Sequence, residues 1–136
     1  MNAAQILAAF RAARRDEVEP YLWSDDELVG YLNEAVQQAC ERALLIEDST
    51  SAAASVALAP GQSVYPMHPS VLRIKRAVIL GCRLCETSIE ALDSGWGGWE
   101  TVPGMPRHFV FQQSSPPSIR VTPVPVDNLR LDLTVY

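Results

Sequence analysis

A chain of 136 residues, 48% hydrophobic and 20% charged, has the length for one compact domain with a single core and is too apolar to remain unfolded. No apolar run approaches the roughly 18–20 residues that cross a bilayer, and residues 1–15 lack the basic start and long apolar stretch of a signal peptide, so the protein is expected to stay in the cell that makes it, with no membrane role. The net charge of −5 is uneven, with four basic and ten acidic side chains in residues 1–50 and seven and six in residues 51–136; so acidic a first third excludes a nucleic-acid grip, which needs a basic stripe against phosphate.

Residues 2–15 predict a helix. Ala3, Ile6, Leu7, Phe10 and Ala13 recur at three and four, Asn2 stands where a cap belongs, and Arg14 and Arg15 suit the negative end of the helix dipole. After a charged, proline-containing connection a second helix starts at Ser24-Asp25-Asp26-Glu27, a capping box, with Trp23 and Leu28 placed as a hydrophobic staple. Its apolar face runs through Tyr31, Leu32, Ala35, Val36, Ala39, Cys40, Ala43 and Leu44, and Glu27, Glu34 and Glu41 flank that face every seven residues.

Beyond Glu47-Asp48 the periodicity changes to that of strands. Residues 55–58 and 63–65 predict short strands about the turn Pro60-Gly61, and residues 71–80, rich in β-branched side chains, predict the strongest strand. That strand carries Arg73, Lys75 and Arg76. Residues 82–93 read as a continuing strand followed by a short helix near Ser88, and residues 94–106 as a Gly-, Trp- and Pro-rich loop. Residues 107–112 and 118–122 predict strands, and Pro123-Val124-Pro125 predicts that the second of them lies at a sheet edge. In the last eight residues Leu129, Leu131, Leu133 and Val135 alternate with Arg130, Asp132, Thr134 and Tyr136, one buried face and one wet. The order of elements predicts an α+β domain over residues 1–136, with an N-terminal helical pair (residues 1–48) packed on an antiparallel β-sheet or small β-sandwich (residues 55–136).

Little in this pattern carries chemistry. An odd number of cysteines without an export signal suggests reduced thiols. Cys82-x-x-Cys85 supplies two of the four ligands a structural zinc needs, and Cys40, His68 and His108 add no ligand-like spacing, so the cysteines read as small packing residues. Neither histidine has a neighbouring nucleophile and carboxylate. The glycines form no phosphate-binding loop. Gly95-Trp96-Gly97-Gly98-Trp99 reads as a loop with one Trp over the core edge and the other toward a neighbour. No metal site, cofactor or catalytic group is expected.

Taken in order, Leu22-Trp23-Ser24-Asp25-Asp26-Glu27-Leu28, Tyr31-Leu32-Asn33-Glu34-Ala35, Pro60-Gly61-Gln62-Ser63-Val64-Tyr65-Pro66, Val71-Leu72-Arg73-Ile74, Gly104-Met105-Pro106-Arg107-His108-Phe109, Val121-Thr122-Pro123-Val124-Pro125 and Leu129-Arg130-Leu131-Asp132-Leu133 resemble the adaptor, or head-to-tail connector, proteins of tailed bacteriophages, including the tail tubular adaptors of short-tailed phages. The resemblance runs from about residue 4 to the end and rests on order and spacing. It implies a structural, non-catalytic subunit of the virion neck, present in the host cytoplasm before assembly. It further implies a ring, typically dodecameric, that binds the portal protein and a tail or stopper protein and lets DNA pass without sequence-specific binding. It also implies further chain after the last strand, whereas this sequence ends at Tyr136. Ring closure needs one patch to meet a different patch on the next copy; the candidate interface residues are Glu27, Glu34 and Glu41 on the acidic helix, Arg73, Lys75 and Arg76 on the basic strand, and Trp96 and Trp99. Two competing readings are a carbohydrate-binding or other tail or baseplate module that uses Trp96 and Trp99 as a stacking platform, and a small thiol- or metal-dependent enzyme built on Cys82, Cys85 and the histidines.

Overall fold

A computed structural model describes residues 1–136 and divides them into two compact units, Met1–Leu45 and Ile46–Tyr136. The first unit is helical. Helix α1 (Ala3–Arg14) begins at a full capping box, in which Asn2 accepts from the Gln5 amide and the Gln5 side chain accepts from Asn2. It ends at Arg15 in the left-handed conformation. Helix α2 (Asp25–Ala43) begins at the Ser24–Glu27 box and ends at Leu44, also left-handed. Trp23 meets Phe10 of α1 edge-on, with ring centroids 5.7 Å apart, so the aromatic before the second cap joins the two helices.

Arg11 organises the join. Its guanidinium donates to Asp16 (2.9 Å), to Asp25 (2.6 Å) and to the Trp23 carbonyl (3.1 Å), and lies 3.8 Å from the centroid of the Tyr21 ring. Asp16 in turn accepts from the Leu22 amide. The planar fork of arginine holds both carboxylates at once, and these contacts raise its pKa above the ordinary value, the Asp25 hydrogen bond most of all. Two helices alone bury little: Leu28 is the buried apolar residue of α2, while Tyr31 is 60% exposed and Val36 is also exposed.

The second unit is a small β-sandwich. After a 3₁₀ turn (Ala52–Ala54) come β1 (Ser55–Leu58), β2 (Val64–Pro66), β3 (Ile74–Ile79), β4 (Cys82–Arg83), β5 (Cys85–Glu86), α3 (Ile89–Gly95), β6 (His108–Gln112), β7 (Ser118–Thr122) and β8 (Leu129–Val135). The first sheet has the order β1-β8-β3-β4 and the second β2-β7-β6-β5. Ile74, Ala77, Ile79, Leu131, Leu133 and Val135 from the first sheet and Tyr65, Phe109, Ile119 and Val121 from the second fill one shared core. Each such large apolar side chain, fully buried, contributes about 1.5–3 kcal/mol. The fold is α+β, with two N-terminal helices and two four-stranded sheets.

Three details depart from the sequence expectation. Strand pairing is antiparallel except between β5 and β6, which run parallel; α3 and the 96–107 connection supply the crossover that a parallel pair requires. Strand β7 is internal, bonded to both β2 and β6, and is not an edge. The prolines that suggested an edge lie just past the strand, where Pro125 contributes its carbonyl to Gly61 and Val124 uses its amide and carbonyl to hold Val102 and Gly104. Finally, β3 contains a bulge: Ile74 pairs with Val135 and Arg76 with Thr134, so two steps on β3 match one on β8. The bulge turns Lys75 and Arg76 both toward solvent and returns Ala77 to the core.

Candidate interaction surfaces

The outer face of the first sheet is exposed and basic. The pairing register places Ser55, Asp132, Val78 and Arg83 in one row across β1, β8, β3 and β4, with Ala57 and Arg130 on one side and Arg76 and Thr134 on the other. Three arginines therefore share a face with one aspartate. Arg130 pairs with Asp132 (2.8 Å) along its own strand, while Arg76 and Arg83 form no ion pair. Arg76 lines a shallow hollow of about 240 Å³ with Ser49, Val78 and Asp132. Lys75, displaced by the bulge, reaches Glu47 (2.5 Å) and lies 5.5 Å from the Tyr136 ring centroid. Glu47 first, then Tyr136, raises its pKa above the ordinary lysine value. Arg73 is exposed, and its backbone is tied to Tyr136. Of the basic trio, then, Arg73 and Arg76 are unpaired, and Arg83 and Arg130 extend the patch.

The acidic trio on α2 divides similarly. Glu27 is occupied by the cap: it accepts from the Ser24 amide (2.9 Å) and hydroxyl (2.8 Å), which lower its pKa in that order. Glu41 accepts from Gln37 (3.0 Å). Glu34 is exposed and makes no side-chain hydrogen bond, beside the open Tyr31.

The two tryptophans have separate fates. Trp99 is 2% exposed and packs with Leu92 and Val110 on the outer face of the second sheet. Its indole donates to Asp93 (2.8 Å), and Arg120, paired with Glu100 at 2.6 Å, lies 5.4 Å from the ring centroid. Trp96 is 37% exposed and lines an open groove with Met105, Arg107, His108 and Pro123. A stacking platform made from both rings, the carbohydrate-binding reading, is therefore not present: one ring is inside. Trp99 does not stand at the surface as an interface residue.

Cys82 and Cys85 are exposed free thiols on β4 and β5, and Cys40 is half-buried. The expectation of packing cysteines is corrected for the first two: Leu84 between them takes the core position, which leaves its neighbours outside. No three His, Cys, Asp or Glu residues stand close enough to share a metal ion. His68 binds Ser70 in an exposed loop, and the Nδ1 of His108 is buried without a partner. No helix is long and apolar enough to cross a membrane.

Sequence reasoning missed Arg11. A signal existed, since Arg11 falls four residues after Leu7, on the apolar stripe of α1, where a cation has to find partners.

Two comparisons bear on identity. A family model described as SU10 adaptor protein matches residues 1–136. No curated protein matches the chain.

Proposed function

This chain belongs to the SU10 adaptor protein family, a group of phage structural adaptors, and from that membership we propose that it is a ring-forming subunit of a tailed-phage neck. In this reading copies of the chain sit beneath the portal protein, join it to a tail or stopper protein, and leave a channel for DNA. The ring is dodecameric. The observation that carries the reading is the family match over the whole chain.

The distribution of charge supports it. The first unit is acidic and leaves the apolar side chains Val29, Tyr31 and Val36 of α2 exposed, with Glu34 free beside Tyr31. The outer sheet face of the second unit is basic through Arg76, Arg83 and Arg130. Complementary patches at different places on one polypeptide favour heterologous contacts, which close into rings. The pairing proposed is α2 of one copy on the first sheet of the next. The chain carries a net charge of −5 and its basic sheet face is covered by α2 of the next copy, so DNA passes a ring of such subunits without being gripped. The protein acts through these surfaces and not as an enzyme.

Mixing the purified chain with the portal protein of its own phage tests this. The expected result is a stoichiometric ring on the portal, visible by electron microscopy; portal that stays bare at every ratio contradicts it.

A further inference from the structure

The hairpin joining β3 to β4 presents an anomaly at its tip. Val78 pairs with Arg83 and Ile79 with Cys82, so Leu80 and Gly81 form a two-residue turn. Both sit at positive φ, 47° and 80°, the pattern of a type I′ turn, whose first position favours Asn, Asp or Gly. A leucine there is strained, because its side chain crowds the backbone in the left-handed region. It is also 75% exposed. Backbone and solvent both disfavour Leu80 in the isolated chain, and a strained residue of this kind points to a contact that uses it.

A receptor for it exists on the same unit. Pro60, Pro103, Val124, Pro125 and Val126, together with Ser63, Glu100 and Thr101, line an open groove of about 510 Å³. Val126 stands 52% exposed there. Topology places knob and groove apart in a useful way. In the order β1-β8-β3-β4, the ends of β1 and β3 both lie beside the start of β8, through Leu58–Leu129 and Ile79–Leu131. The turn at Leu80 and the β1–β2 link at Pro60 are thus at the same end of the sandwich, toward opposite lateral edges. Copies set side by side bring the turn of one to the groove of the next. Charge agrees with this choice: Arg83 beside the knob and Asp127 beside Val126 are exposed and form no ion pair. Of the other open hollows, the one beside Trp96 carries Arg107 and repels Arg83, and the one lined by Pro69, Val71, Leu72 and Pro117 has less than half the volume, about 220 Å³.

We propose that Leu80 is an intersubunit knob that seats in the Pro60–Val126 groove of an adjacent copy, with Arg83 meeting Asp127 of that copy. This deepens the ring reading above and rests on it.

The test uses the full chain with Cys40→Ala, Cys85→Ser and Val126→Cys, under mild oxidation, both free and on the portal. Native Cys82, two residues from the knob, is then offered to the thiol introduced at position 126 of the next copy. The expected product is a covalent ladder of dimers and larger species. In a parallel variant Leu80→Asn relieves the turn, so the melting temperature of the monomer rises while self-association weakens by at least about tenfold. Rings that form on the portal without the crosslink, and unchanged with Leu80→Asn, overturn the knob and leave the ring standing. A chain that neither crosslinks nor forms rings overturns both.

Discussion

The indole N–H of Trp99 donates to the Asp93 carboxylate across 2.8 Å, and this bond ties the end of α3 to the buried ring six residues later. With Thr122 donating to the Trp99 carbonyl, the contact fastens the whole 96–107 connection to the outer face of the second sheet. Trp99→Ala removes a fully buried ring with Leu92 and Val110 around it, a loss of about 3–5 kcal/mol. Chemical denaturation followed by fluorescence is expected to show a large fall in the unfolding midpoint. Trp99→Phe keeps part of the packing and falls less. A midpoint unchanged by Trp99→Ala contradicts the role.

Arg11→Lys keeps the charge and loses the fork. An ammonium cannot span Asp16, Asp25 and the Trp23 carbonyl in the geometry that Arg11 uses. The helical signal in far-ultraviolet circular dichroism is expected to melt at lower temperature in Arg11→Lys and lower still in Arg11→Ala. Equal melting of the lysine variant and the wild type contradicts a specific fork.

Removing the second helix cap isolates a different contribution. Ser24→Ala eliminates the hydroxyl that accepts from the Glu27 amide, and the expected loss is about 1 kcal/mol. The variant is expected to lose helicity at the start of α2, read as faster amide exchange over residues 25–28. Unaltered exchange there contradicts the cap.

Acid sensitivity follows from Asp48. The Ser51 hydroxyl, then the Thr50 and Ser51 amides, hold its carboxylate and lower its pKa from 3.8 to about 2. A depressed carboxylate adds stability that is fully present above the unfolded value and disappears as pH falls through the folded one. The stability gap between wild type and Asp48→Asn is therefore expected to be constant near neutrality and to close between about pH 4 and pH 2. A gap that widens toward low pH contradicts the assignment.

Much of this architecture was legible from local chemistry. Ser24 and Glu27 announced the second helix because a capping box has few other uses, and the alternation from Leu129 to Val135 announced β8 because only a strand with one buried face needs it. What stayed hidden depends on neighbours distant in sequence. Trp96 and Trp99 share the same glycine-rich surroundings, and only the folded position of Asp93 and Val110 selects Trp99 for burial. Pro123 and Pro125 suggested an edge strand, yet they follow β7 and do not interrupt it. The bulge at Lys75 was half visible: two adjacent cations break the alternation between Ile74 and Ala77, a break that a bulge explains. For the interaction surface, the acidic helix and basic strand were legible as charge, but which members are free was not, because Glu27 and Lys75 are held by Ser24 and Glu47.

Electron cryomicroscopy of intact virions of the parent phage tests the central claim most directly. The account predicts density for this chain in the neck, in a closed ring between portal and tail with the first sheet of each copy facing the helices of the next. Particles in which the chain is missing, or is present without forming a closed ring at the portal, contradict it.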